Sequence, residues 1–379
     1  MKRLLSFFLL ASSVCWSQST FTIPLEKANS ALALPSMAAR DGVLYAAYRS
    51  FDLLRFSNKL EVVAYDLNTH KELQHVAISV PKVHGARASE GLFLSEDGQT
   101  LAYAELHEPG LILLLAAKNL AEIRRSTALP FTSLDHHLMF AGFDGDQLCI
   151  ASSSYGSHKP NADGLRFIRL GILDLKPVSD TRAIGVSPEA SEAIIWLPSV
   201  RKTWVNPPTS LASDIWTEYT ESGEKTGNVL THRQGVSNGA VALGDGKLVA
   251  FYGNMIAKGA LVSYADHREE ELELPCAAHK YGRSSDPAYV GGLCTTEKDV
   301  LPEAWGNKVL SSQFMLIKAD GPKIIWHHDM DFLDVADGNE PDTGVQRGEP
   351  LLYQAGSKLL IVAPTKKPEL AVYEIDAPQ

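Results

Sequence analysis

Hydrophobic and polar positions alternate along GLFLSEDGQTLAYAE, residues 91–105. An apolar run meets a polar break at Glu96-Asp97-Gly98-Gln99, and apolar residues then resume at every second position. A period of two is the pattern of a half-buried strand, and an Asp-Gly break between two such runs is a turn signal. The segment predicts a β-hairpin. A lone hairpin cannot bury its apolar face, so the pattern demands partners.

The chain repeats the pattern. Asp41-Gly42 precedes VLYAAYRS, Asp144-Gly145 precedes DQLCIASSS, Asp245-Gly246 precedes KLVAFYG, and Ala355-Gly356 precedes SKLLIVAP. Weaker copies lie at Arg201–Trp204 and Glu297–Val300. The apolar positions after each turn are 44, 101, 148, 204, 248, 300 and 359. Seven copies at about fifty residues each match the period of four-stranded propeller blades. A second hairpin follows several copies, as in LEVVAYDLNTHKELQHVAI (60–78), RFIRLGILDL, ALVSYADHREEELEL and QFMLIKADGPKIIW. In LLLAAKNLAEIRR (113–125), Lys118-Asn119 reads as the turn between two outer strands, and very little helix is expected. The last copy is one strand short, whereas FTIPLE (21–26) is a strand-like run with no partner nearby. The prediction is an all-β, seven-bladed β-propeller of four-stranded antiparallel blades, its ring closed by that N-terminal strand as the outermost strand of the last blade.

LSEDGQTLAYAE resembles the repeat of bacterial YVTN-type and WD40-like seven-bladed propellers, which carry a similar Asp-Gly turn before a strand. The resemblance covers most of the chain as a loose pattern and implies a fold; it carries no catalytic residue.

Charge and cysteines change the picture in two ways. Lys and Arg total 35 against 45 Asp and Glu in 379 residues, a formal charge of −10 without a basic stripe, which argues against nucleic acid. Met1-Lys2-Arg3 followed by LLSFFLLASSVCW reads as a signal peptide ending near residues 17–19. Residues 1–18 are then removed, and 19–379 form a single propeller domain, periplasmic or secreted, without a transmembrane segment in the mature chain. Export makes a bridge between Cys276 and Cys294 attractive, two independent buried thiols being the competing reading. Cys149, within an apolar strand, reads as a small buried hydrophobe.

Candidate chemistry comes from the propeller geometry. The segment leading into each innermost strand shares a face with the loop between the second and third strands, and that face usually holds a ligand. Arg87, Arg233, Arg283 and Arg347 fall in four of those leading segments, with His84, His136, His137, Asn238 and Glu349 in the same set. Guanidinium forks suit carboxylate or phosphate. An arginine-lined axial funnel would bind an anionic small molecule or peptide. The alternative use of these arginines is to pair with local acids such as Glu90, Asp286 and Glu349 and tie blades together. His158, in a long polar loop, and Trp305 are further ligand candidates, although a tryptophan there also suits packing between blades. The runner-up function is a hydrolase or lyase acting on a small sugar, lactone or peptide in the same pocket. His84, His136, His137 and Glu349 would then serve as general acid–base groups. No cofactor is expected. Asp334, Asp337 and Glu340 could hold a structural Ca²⁺, but their spacing is not that of an EF-hand, and a solvated acidic loop explains them too. There is no H-E-x-x-H and no C-x-x-C, and Gly235-x-Ser237-x-Gly239 is followed by a strand rather than the helix a nucleophile elbow needs. A protein partner is the other expected ligand class, and a monomer is favoured.

Overall fold

The structure is a computed structural model. It describes residues 18–25, 35–52, 57–81, 90–106, 110–127, 136–154, 165–183, 193–197, 202–206, 214–222, 224–232, 237–244, 247–252, 258–263, 268–274, 278–283, 289–295, 312–318, 323–330, 351–364 and 368–376. Every element among the described residues is a β-strand. None of the described residues belongs to a helix long and apolar enough to cross a membrane.

Among the described residues the strands fall into seven four-stranded antiparallel sheets. The first sheet is β2 (Ser36–Arg40), β3 (Val43–Asp52), β4 (Ser57–Asp66) and β5 (Lys71–Ser79). The second is β6 (Glu90–Leu94), β7 (Thr100–Glu105), β8 (Leu111–Ala116) and β9 (Glu122–Ser126). The third is β10 (His136–Asp144), β11 (Gln147–Ser154), β12 (Leu165–Gly171) and β13 (Pro177–Ala183). The fourth is β14 (Ala193–Leu197), β15 (Lys202–Asn206), β16 (Asp214–Thr220) and β17 (Lys225–His232). The fifth is β18 (Ser237–Gly244), β19 (Lys247–Tyr252), β20 (Lys258–Ser263) and β21 (Arg268–Glu273). The sixth is β22 (Ala278–Arg283), β23 (Tyr289–Thr295), β24 (Ser312–Lys318) and β25 (Lys323–Met330). The seventh joins β26 (Leu351–Ala355), β27 (Lys358–Pro364) and β28 (Glu369–Asp376) to β1 (Gln18–Pro24). The pairing of β1 with β28, from Gln18↔Ile375 to Pro24↔Glu369, is the one the unpartnered FTIPLE run predicts. Successive first strands lie against one another: β2 on β6, β6 on β10, and so on to β22 on β26, with β26 also against β2.

One repeat is misplaced in the sequence reading. The sixth inner hairpin pairs β22 with β23, so Val290, opposite Arg283, takes the position assigned to Val300. In the sequence, Asp286-Pro287 is a turn signal between these two strands that competes with the stretch before Val300. The outer turn at Lys118-Asn119 falls where expected, between β8 and β9.

The Asp-Gly turn that opened the sequence shows why the hairpin forms there. The Ser95 hydroxyl donates to Asp97 Oδ1 at 2.6 Å, and that oxygen also accepts from Gln99 N at 2.9 Å. Ser95 Oγ in turn accepts from Thr100 N at 2.9 Å. These bonds hold the Asp97 carboxyl below the usual range, the Ser95 hydroxyl contributing most. Gly98 has φ +71°, a conformation that favours glycine, and a Cβ there would lie 2.9 Å from Arg40 Cδ and displace that side chain. Arg40 donates to the carbonyls of Ser95 and Glu96, pinning this turn to the first sheet.

The core lies between sheets. Tyr45, Ala47, Leu60 and Val62 of the first sheet meet Leu92, Leu101, Tyr103 and Leu113 of the second. The second sheet's other face, with Phe93, Ala102, Ala104 and Leu114, meets Phe143, Leu148, Ile150 and Ile168 of the third. Leu44, Ala46 and Val63 pack on Tyr353, Leu360, Val362 and Ile23, so the N-terminal strand contributes to the same layer. Alternation along each strand therefore serves two layers, and strands such as Leu111–Ala116 are apolar on both faces. Fully burying a leucine contributes about 2 kcal/mol, so these layers dominate stability.

Candidate functional site

The most strongly buried polar constellation among the described residues sits between the first and second sheets, at the end where the chain enters β6. Glu90 begins β6 and Glu105 ends β7, and the two are direct cross-strand partners. Their side chains share a face with Leu92, Leu101 and Tyr103, the face turned to the first sheet. Arg49, near the end of β3 and in phase with Tyr45 and Ala47, reaches them from that sheet.

The contacts are dense. Arg49 Nη2 donates to Glu105 Oε2. Arg49 Nε lies 3.6 Å from Glu90 Oε2, an ion pair without hydrogen-bond geometry. Arg49 Nη1 donates to the Pro81 carbonyl at 3.3 Å. The Tyr103 hydroxyl donates to Glu90 Oε2 and lies 3.4 Å from Glu105 Oε2. The Ser36 hydroxyl, at the start of β2, donates to the Glu90 carbonyl at 3.5 Å. Glu105 Oε1 is buried and has no hydrogen-bond partner.

Electrostatics follow from this burial. Burial is the largest influence on Glu105 and, with Glu90 beside it, pushes its carboxyl up to about 7 against the opposing pull of Arg49. Burial also works against the charge of Arg49, but Tyr103, Glu105 and Glu90 outweigh it, and the guanidinium stays charged. The Tyr103 hydroxyl is pushed well above its ordinary range by burial first and then by the two carboxyls, so it remains a donor. The arrangement can hold or release a proton at Glu105 near neutral pH. It also ties two sheets through one cation.

Other buried polar groups are ties. On the opposite face of the first sheet, Ser50 Oγ donates to Glu61 Oε1 at 2.6 Å and His75 Nε2 lies 2.9 Å from Glu61 Oε2. The residue types match a hydrolytic triad, but Ser50 bonds to the carboxylate and not to the histidine, so the triad's serine–histidine contact is not made. Arg169 of the third sheet pairs with Asp144 at 2.5 Å and with Glu221 beyond β16 of the fourth. Arg166 pairs with Asp180 through two bonds, at 2.7 and 2.5 Å. Glu218 is held below its usual range by bonds from Thr226, Asn228 and Lys202, which outweigh its burial.

Most residues singled out from the sequence lie outside the described residues: His84, Arg87, His158, Arg233, Cys276, Trp305, Asp334, Asp337, Glu340, Arg347 and Glu349. His136 and His137 begin β10 and Asn238 is the second residue of β18, at the leading ends of their sheets' first strands. Arg283 is different: it ends β22, at the turn side, opposite to the leading end where the sequence put it. Cys294 is on β23, its backbone opposite Ala278. Cys149 is buried, as predicted. No group of three or more His, Cys, Asp or Glu among the described residues is placed to hold a metal.

Sequence reasoning named Glu90 only as a local partner for arginine, and missed Arg49, Tyr103 and Glu105. A signal was present: Glu90 and Glu105 bracket the hairpin at its open end, in phase with Leu92 and Leu101. A charge on the buried phase of a strand needs a partner from the facing layer.

No known protein family matches the chain, and no curated protein matches it. Among solved structures it is similar to a chain of the mitotic checkpoint complex, with TM-score 0.59 and 10% identity over 99% of both chains. It is also similar to the Swd1 β-propeller domain from Myceliophteria thermophila, with TM-score 0.54 and 10% identity over 93% of this chain and 99% of that one. The chain has a WD40-like β-propeller fold. A further similar structure is BamB from Moraxella catarrhalis, with TM-score 0.47 and 12% identity over 94% and 97% of the two chains. At these identities the likeness concerns the propeller fold alone.

Proposed function

We propose that the protein is an exported, seven-bladed propeller that works as a binding or interaction module, with its ligand in the axial mouth. The observation that carries this reading is the order of the first strands, each against the next and β26 against β2, with β1 completing the seventh sheet. Such an order supports a closed ring with one mouth, and the segments leading into first strands would surround that mouth. Arg87, Arg233 and Arg347 belong to those segments and are the residues assigned to an anionic small molecule or peptide. A monomer in the periplasm or outside the cell, requiring no cofactor, fits this reading.

The enzymatic alternative draws on one observation, two carboxyls set directly opposite each other across β6 and β7. Both are buried and engaged with Arg49 and Tyr103, which favours binding over hydrolysis. A thermal-shift screen with inorganic phosphate, citrate and oligogalacturonate tests the proposal. At least one should raise Tm for the wild type and fail to do so for Arg87→Ala/Arg347→Ala. Equal stabilisation of both proteins, or of neither, overturns it.

A further inference from the structure

Glu105 combines three structural features that a merely tying carboxylate does not need. It is 1% exposed, its Oε1 has no partner, and its cross-strand neighbour is another carboxylate. Like charges directly opposite on paired strands repel, and an unpaired carboxylate oxygen in a buried site costs more than an unpaired neutral hydroxyl. Oε2 already accepts from Arg49, and it keeps that bond as the carbonyl oxygen of a neutral acid; Oε1 is where a proton fits.

We propose that Glu105 is a proton-carrying latch between the first two sheets at their leading end. With its proton on, in mild acid, it holds β7 against β3 most tightly; as the proton leaves to water with rising pH, the joint loosens. Burial, which favours the neutral form, supports this, and a midpoint near 7 puts the change in an accessible range. The groups facing Glu105 among the described residues are Arg49 from β3, Glu90 from β6 and Tyr103 from β7 itself. Tyr45 of β3 lies in the same layer, and β4, β5 and β8 present Leu60, Val62, Val76, Ile78, Leu111 and Leu113. Ser36 of β2 reaches the Glu90 carbonyl. Arg49 stays charged throughout. The inference rests on this geometry and is independent of any anionic ligand.

Hydrogen exchange of the full chain tests it, read strand by strand between pH 5.5 and 8 and corrected for intrinsic exchange. Protection in β3, β6 and β7 should fall by about tenfold or more across that range relative to the β26–β27 hairpin. Glu105→Gln, neutral at every pH, should flatten the dependence. A flat wild-type profile, or the same slope in Glu105→Gln, overturns the proposal. A second measurement does not depend on the variant folding: infrared titration of wild-type protein with isotopically labelled glutamate should show a buried protonated carboxyl that disappears near neutral pH. If no such band is present at pH 6, the latch does not exist.

Discussion

Replacing Arg49 with methionine keeps most of the stem that packs between the sheets and removes the cation. Arg49 is 14% exposed and Glu105 1%, so solvent cannot take over the lost interaction. Breaking a buried ion pair by removing one partner costs about 3–5 kcal/mol, because the remaining charge is left uncompensated. Unfolding entropy of about 2.1 cal/mol/K per residue over 379 residues gives about 0.8 kcal/mol/K, so Tm should fall by roughly 4–6 °C at pH 8. The cost should shrink in acid. Glu105 has a folded pKa of about 7, above its unfolded value, so its proton contributes stability that is complete below the unfolded pKa and lost as pH rises through 7. At pH 5.5 the carboxyl is neutral even with Arg49 present, and Arg49→Met should cost at least about 1 kcal/mol less than at pH 8. Urea unfolding followed by tryptophan fluorescence at both pH values, supported by calorimetry, measures this. Glu105→Gln combined with Arg49→Met should be less destabilised at pH 8 than the two single changes added together. If Arg49→Met costs under about 1 kcal/mol at both pH values, or if the double variant is additive, the pair is not the tie described here.

Three further changes probe the scaffold. Gly98→Ala should destabilise by about 1–3 kcal/mol in urea unfolding, because it combines a positive φ with a clash at Arg40, whereas Gly145→Ala, with open space around its Cβ, should cost less. Tyr353→Phe removes the acceptor 2.6 Å from Gly42 N, joining the seventh sheet to the first, and should cost about 1–3 kcal/mol by the same measurement. Deleting residues 18–24 exposes the edge of β28 and removes Ile23 from its layer; Tm should drop, and a peptide of residues 18–25 added in trans should restore part of it.

Strand positions and hairpin turns, including the strand character of FTIPLE, were determined by the sequence itself. They depend on period-two alternation and on turn residues such as Asp97-Gly98, which act within a few residues of themselves. Local signals are ambiguous at the sixth hairpin, where Asp286-Pro287 punctuates the chain as strongly as the stretch before Val300. What only tertiary structure decided is which charged groups meet. Arg49 and Glu105 are 56 residues apart, on different sheets, and neither has a local motif that names the other. Their contact follows from the stacking of one sheet's inward phase on the next. That stacking also turns Glu90 and Glu105 from two acids flanking a hairpin into one buried site. Alternation specifies that a face is buried, while the identity of the facing residue is set by the packing of layers that no short stretch of chain encodes.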